Sequence, residues 1–293
     1  MEPINKYKCG NVCTNSKETF AQNIANMAVR ALLTEVCATP KPGLVDRVNN
    51  GAHKDMDIFT FVDSAVTLYP YFKNITMHSL NYTGDIANLL KEIQLLGIQA
   101  EEDMFEVTRG INTHKGAVFS LGIFCAASAL IATRPHTYDD TASSISSLCA
   151  QIVANKTRTN TNLNTKGEGV FNTYGLKGIL GEAQTGYASV FKTALPIINT
   201  YVKNGAHLQD ASIVALLNLI TILDDTNIVA RHNIQTLRNI QTTVKEQLQT
   251  FTTVEQHITY AKALDEHFIS KNISPGGCAD LVALAILAHY IFS

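Results

Sequence analysis

The sequence predicts an all-α protein: one multi-helix domain whose chemistry sits in the turns between helices. Three observations carry that reading. Apolar residues recur at three- and four-residue spacing in almost every hydrophobic stretch, and strict apolar–polar alternation is hard to find. Of 293 residues, 46% are hydrophobic, enough for a sizeable core. No alternation of strand and helix patterns marks a doubly wound sheet.

The elements follow in order. Residues 1–17 read as a flexible polar leader and 18–293 as the all-α domain. Phe20, Ile24, Met27, Ala31 and Leu32 form one helical stripe, with Ser16 as the expected N-cap and Pro40 and Pro42 as the stop. Asp57 is placed to cap a helix burying Ile58, Phe61, Val62, Ala65 and Leu68, which Pro70 ends or kinks. Asp85 opens the next pattern, Ile86, Leu89, Leu90, Ile93 and Leu96, with a break expected at Gly97 before an acidic helix over 98–107. Asn112 or Thr113 opens a long apolar helix toward Ala132, and a short one is expected over 143–154. Residues 155–174 lack any period and read as a long loop, the kind more often functional than ornamental. Helical patterns then cover about 179–195, 210–223, 233–251, 254–269 and 279–292.

Composition excludes several classes. With 23 Lys+Arg against 25 Asp+Glu, no overall field draws in nucleic acid or anionic membrane. Cys37, Cys125, Cys149 and Cys278 lie in apolar stretches and read as small buried hydrophobes. Cys9 and Cys13 have three residues between them in the polar leader, and a zinc site is not expected there. The N-terminal residues lack the apolar run of a secretory signal. The apolar stretches 117–132, 213–223 and 281–292 each fall short of the ~20 residues of a spanning helix. A cytoplasmic protein is expected.

Five turns combine Gly, Pro, charge and small polar residues beyond what capping requires. The first is Pro40-Lys41-Pro42-Gly43-Leu44-Val45-Asp46, followed by Gly51-Ala52-His53-Lys54-Asp55-Met56-Asp57. A histidine and several aspartates in one loop suit a metal–phosphate site. In the second, Ala100-Glu101-Glu102-Asp103-Met104 leads to Asn112-Thr113-His114-Lys115-Gly116 at the start of the long apolar helix. Free N–H groups and the dipole at a helix start favour anions, and Lys115 adds a point charge. The third is Gly178-Ile179-Leu180-Gly181-Glu182-Ala183. The fourth is Asp224-Asp225-Thr226-Asn227 with Arg231; it departs from the prenyl-transfer pattern because Ile228 stands at the fifth position. The fifth, Ser274-Pro275-Gly276-Gly277-Cys278-Ala279-Asp280, has a tight turn whose amides can form an anion nest.

Together and in this order these segments resemble the triphosphoribosyl-dephospho-coenzyme-A synthase family, which makes the prosthetic-group precursor of citrate lyase and, in a close relative, of malonate decarboxylase. The Asn-Thr-His-Lys-Gly and Ser-Pro-Gly-Gly-x-Ala-Asp pieces carry most of the likeness. Two places depart from the family pattern: Ile179-Leu180 where Ala-Arg is expected, and His232-Asn233 where Gly-Gly is expected.

The resemblance implies an all-α fold, ATP and 3'-dephospho-coenzyme A as substrates, and adenine as leaving group. The protein partners it implies are the downstream prosthetic-group transferase or an acyl carrier protein. Such a reaction needs the triphosphate neutralised, a base for the attacking hydroxyl and help for the departing adenine. Lys41, His53, Thr113, Lys115, Gly116, Arg231, Ser274, Gly276 and Gly277 are then expected to bind substrate phosphates. Asp55, Glu182 and Asp225 compete for Mg²⁺. Glu101 is the first choice for base and Asp225 the second, with His114 an acid or a phosphate contact. Two other readings use the same residues: a Mg²⁺-dependent hydrolase of nucleotide-linked ribose resembling ADP-ribosyl-glycohydrolases, and a non-catalytic helical interaction domain.

Overall fold

A computed structural model describes residues 14–133, 140–156 and 166–293. Among them every regular element is a helix. The leader up to Cys13, with the Cys9/Cys13 pair, lies outside the described residues. The first helix, α1 (Thr14–Cys37), already includes Ser16, so that residue lies inside the helix rather than capping it.

Capping fixes the next starts as the sequence predicts. Asp57 accepts from the Thr60 amide at 2.9 Å and closes a capping box at the head of α2 (Ile58–Thr67). Pro70 stands in the first turn of α3 (Tyr69–Asn81), where its missing N–H costs nothing, and the chain breaks just before it. Asp85 caps α4 (Ile86–Val107), which runs unbroken through Gly97. The predicted break fails because a lone glycine costs a helix only about 1 kcal/mol, and buried Leu89, Ile93, Ala100 and Met104 hold one face of α4 on the core.

The long apolar helix α5 (Lys115–Thr133) passes a length and composition test for a membrane span, yet 83% of it is buried inside the protein. Its neighbours are α3, α6 (Thr141–Ile152) and, from the far end of the sequence, α14 (Gly276–Phe292). Close packing of α3 on α5 needs Gly122: a Cβ there would clash with the Tyr71 hydroxyl, which donates to the Val118 carbonyl at 3.0 Å.

Two expectations change in the middle of the chain. Within the presumed loop 155–174, residues 157–165 lie outside the described set, but Lys166–Tyr174 forms a helix, α7. It packs on the short α11 (Thr226–Arg231), so a tertiary contact gives helix where local periodicity is weak. The single helix expected over 179–195 is instead α8 (Gly178–Gln184), a turn with Gly186 and Tyr187 at positive φ, a π-helical turn (Val190–Ala194) and α9 (Leu195–Lys203). The last third follows the sequence reading closely: α10 (Leu208–Ile222), α12 (Ile234–Leu248) capped by Asn233, α13 (Val254–Ser270) capped by Thr253, and α14. One large core cluster joins α1, α3, α5, α10 and α14, with Phe72, Phe124, Leu121 and Leu284 fully buried. Cys125, Cys149 and Cys278 are buried free thiols as expected, and Cys37 is partly exposed.

Candidate active site

The turns that stood out in the sequence meet in one cleft of about 560 Å³. Lys41, His53, Asp55, Thr113, His114, Lys115, Gly116, Glu182, Asp225, Arg231, Ser274, Gly276 and Gly277 all line it. Glu101 does not line it but pairs with Lys115 Nζ at 2.7 Å, which holds its carboxylate beside the cleft. A second cavity of about 360 Å³, between α12 and α13, contains none of these residues.

The loop between α1 and α2 is built by two buried carboxylates. Asp46 accepts from Thr39 Oγ1 at 2.6 Å and from the Val48 and Asn49 amides at 2.7 and 2.9 Å. Asp265, on α13, accepts from the Gly43 amide at 2.8 Å and Asn49 Nδ2 at 2.9 Å, tying the loop to a helix far along the sequence. Arg231 makes a second tie. Its Nη1 donates to the Ala52 carbonyl at 3.2 Å and to Asn272 Oδ1 at 3.1 Å, and Nη2 meets the His53 ring at 3.2 Å. His53 Nε2 also lies 3.0 Å from Ser274 Oγ. Arg231, His53 and Ser274 thus form one polar corner, contributed by three distant segments. Partial burial lowers the Arg231 pKa, with Asp55 and Asp225 opposing.

At the inner end the charges pair internally. Lys41, expected at a phosphate, instead places Nζ 2.6 Å from Glu35 Oε1, and both residues are buried. Burial raises the Glu35 carboxyl and Lys41 pulls it back. Sequence reading missed Glu35 because it sits inside a helical stripe with no motif around it. Asp280 was visible only as the last letter of a turn motif. It reaches the first turn of α5, and Gly116 is what admits it, since a Cβ at Gly116 would overlap Asp280 Oδ2. Burial first, then Glu35 and Asp225, push the Asp280 carboxyl well above the usual range, against the Ala117 amide. The space beside Gly116 therefore holds the chain's own carboxylate rather than open room for a phosphate.

Asp225 receives the same kind of correction. Its Oδ1 accepts from the Asn227 amide at 2.8 Å, which caps α11. Its Oδ2 accepts from the Cys278 amide at 2.9 Å, in the first turn of α14. The first turn of α14 thus takes an internal carboxylate at the Cys278 amide, and the close approach of Asp225 to Gly277 explains the small residue there. Burial raises the Asp225 carboxyl, with the amides opposing.

His114 is the third inner group. Thr113 Oγ1 donates to Ser64 Oγ at 2.7 Å, and Ser64 Oγ lies 2.7 Å from His114 Nδ1. The Phe61 ring meets the imidazole edge-on at 5.1 Å. Burial, then Lys41, hold the His114 pKa down to about 3. The ring is neutral at pH 7, so it supplies an N–H donor rather than the mobile proton of an acid.

Among the described residues no three His, Cys, Asp or Glu side chains converge as a metal cage. Mg²⁺ commonly takes only one or two carboxylates and completes its shell with phosphates and water. Asp55, 65% exposed at its side chain, and Glu182, on α8 and accepting from Ser189 Oγ at 2.6 Å, fit that lesser demand. Asp225 also lines the cleft, with one lone pair on each oxygen taken by a backbone amide. The departures from the family pattern also have local uses. Leu180 is buried, Ile179 lines the cleft, His232 Nε2 meets the Asn272 carbonyl at 3.1 Å, and Asn233 caps α12.

An all-α enzyme with acidic, basic and imidazole groups drawn from separate inter-helix turns into one cleft is the class that this fold and site define. Residues 21–293 match the CitG family, described as ATP:dephospho-CoA triphosphoribosyl transferase, and the chain belongs to that family. It is 38% identical over 274 residues to a probable 2-(5''-triphosphoribosyl)-3'-dephosphocoenzyme-A synthase of Lactiplantibacillus plantarum, covering 90% of this chain and 95% of the relative. The identity is 35% over 272 residues, 92% of this chain and 89% of the relative, with the 2-(5''-triphosphoribosyl)-3'-dephosphocoenzyme-A synthase of Pectobacterium atrosepticum. A probable synthase of the same description from Pectobacterium carotovorum is 36% identical over the same shares of both chains. No solved structure matches the chain.

Proposed function

We propose that this transferase moves the 5-triphosphoribosyl group of ATP onto the 2'-hydroxyl of 3'-dephospho-coenzyme A and releases adenine. The observation that carries the reading, beside family membership, is the meeting of the Asn112–Gly116 and Ser274–Asp280 turns in one cleft with unlike acid and base groups. In the reaction the acceptor oxygen bonds to C1' of the ribose and gives its proton to a carboxylate. The C1'–N9 bond breaks, its electron pair goes to adenine, and adenine takes up one proton. Glu101, held by Lys115, is the proposed base. Asp280, whose environment favours the protonated carboxyl, is the proposed proton source for adenine. Arg231, His53, Ser274 and Lys115 are the proposed triphosphate contacts.

Mg²⁺, held by the phosphates with Asp55 or Glu182, would supply charge neutralisation. The triphosphate itself carries the charge to be neutralised, since Lys41 is already paired with Glu35 and Lys115 with Glu101. Chelation with EDTA is expected to abolish turnover and Mg²⁺ to restore it; full activity in chelated enzyme would remove both carboxylates from a metal role. A cytoplasmic reaction is proposed, which free thiols among the described residues support. The product would pass to a prosthetic-group transferase and so to an acyl carrier protein.

Adenine release, followed chromatographically, tests the reading. It should require ATP and dephospho-coenzyme A together. Release from ATP alone would make the protein a hydrolase, and no release from either mixture would make it a scaffold.

A further inference from the structure

His114 and Ser64 carry an inference that rests on the proposed reaction and goes beyond it. Ser64 lies in α2, outside every motif, and is fully buried. Its hydroxyl has one hydrogen and accepts from Thr113, so that hydrogen is directed at His114 Nδ1. A neutral imidazole whose Nδ1 accepts carries its proton on Nε2. That Nε2 is buried and is without a hydrogen-bond partner among the described residues. Leaving a buried donor unmatched costs about 1–3 kcal/mol, and native interiors rarely tolerate it. Phe61 meets the imidazole edge-on at 5.1 Å and packs with Val45 and Met56 as an apolar cluster in the cleft lining, which Phe105 also joins. Lys41, whose charge acts on the imidazole, is already matched by Glu35. A flat, weakly polar ring with lone pairs in its plane fits such a place better than a phosphate does.

We infer that His114 Nε2–H donates a hydrogen bond to a ring nitrogen of the nucleotide's purine, seated against Phe61 and Phe105, and that Ser64 is the positioning residue that keeps the proton on Nε2. The contact strengthens as C1'–N9 breaks and electron density builds on the departing purine, so it favours the transition state over the bound substrate.

The test uses 1-deaza-, 3-deaza- and 7-deaza-ATP, each of which replaces one ring nitrogen with C–H, on wild type, His114→Ala and Ser64→Ala. One analogue should lose about ten- to a hundredfold in kcat/KM with wild type. That handicap should shrink several-fold in His114→Ala, which cancels the analogue's own chemistry, and partly in Ser64→Ala. Calorimetry of adenosine and of inorganic tripolyphosphate gives a second arm: His114→Ala should weaken adenosine and leave tripolyphosphate unchanged. In ¹⁵N NMR the wild-type ring should show a protonated Nε2 and a bare Nδ1, and Ser64→Ala should move it toward a tautomer mixture. Equal use of all three analogues by wild type, or loss of tripolyphosphate affinity in His114→Ala, overturns the purine contact. An unchanged ¹⁵N pattern in Ser64→Ala overturns the positioning role. If wild type releases no adenine at all, the reaction assignment falls, while adenosine binding still decides the His114 contact.

Discussion

At the scale of single residues the cleft is governed by groups held away from water. Lys41 and Glu35 are both buried, so each depends on the other for its charge. Removing one partner of such a pair costs about 3–5 kcal/mol, whereas replacing both is often neutral. Lys41→Met should therefore lower the urea midpoint sharply, and Lys41→Met with Glu35→Gln should recover most of the loss; equal stability of single and double variants would show the pair to be incidental. His114 predicts a pH dependence. Its pKa is about 3 in the folded protein and about 6.5 in an unfolded chain. The unfolded state thus binds the proton first, and the stability His114 contributes is present above pH 6.5 and lost as pH falls toward 3. Below pH 6.5 the wild type should lose about 1.4 kcal/mol per pH unit relative to His114→Gln, measured by denaturant titration at pH 7, 6 and 5. At this scale the sequence exposed the polar residues of the turns but not their pairings. Lys41 read as a phosphate ligand because nothing local shows that Glu35, one helical turn and a proline corner earlier, faces it.

At the scale of elements, the caps at Asp57 and Asp85 and the break at Pro70 were legible, while the cap at Ser16 and the break at Gly97 were not. Asp57 and Asp85 each cap the helix expected of them, because a cap is a contact between near neighbours in sequence. Gly97 and residues 166–174 were misread because packing against other elements, invisible in a local window, decides them. The α3–α5 contact offers a test of such packing. Gly122→Ala should displace Tyr71 and cost about 1–3 kcal/mol, as overpacked cores do. Adding Tyr71→Phe should relieve part of that cost by removing the hydroxyl, at the loss of its bond to Val118. A thermal melt of the two variants beside wild type measures both effects, and an unshifted Gly122→Ala would mean that the contact is loose.

At the scale of the whole molecule, the cleft is built from turns whose helices share one large core cluster. Ligand binding should therefore appear as global stability: a nucleotide at a hundred times its Kd adds about 2.7 kcal/mol to unfolding. ATP with Mg²⁺ should raise the melting temperature of wild type and do so less in Arg231→Ala, which unties the Arg231–His53–Ser274 corner. The helical class was readable because apolar residues recur at three- and four-residue spacing in almost every hydrophobic stretch. Which turn faces which was not, because it depends on contacts separated by as many as 222 residues, as between Gly43 and Asp265.

The inner wall of the cleft brings Asp280 on α14 within electrostatic reach of both Glu35 on α1 and Asp225. A ribosome builds α1 long before α14. A chain ending before α14 lacks Asp280 and the Ser274–Asp280 turn, and so one wall of the cleft. Such a truncated chain is expected to leave ATP intact in the adenine-release assay.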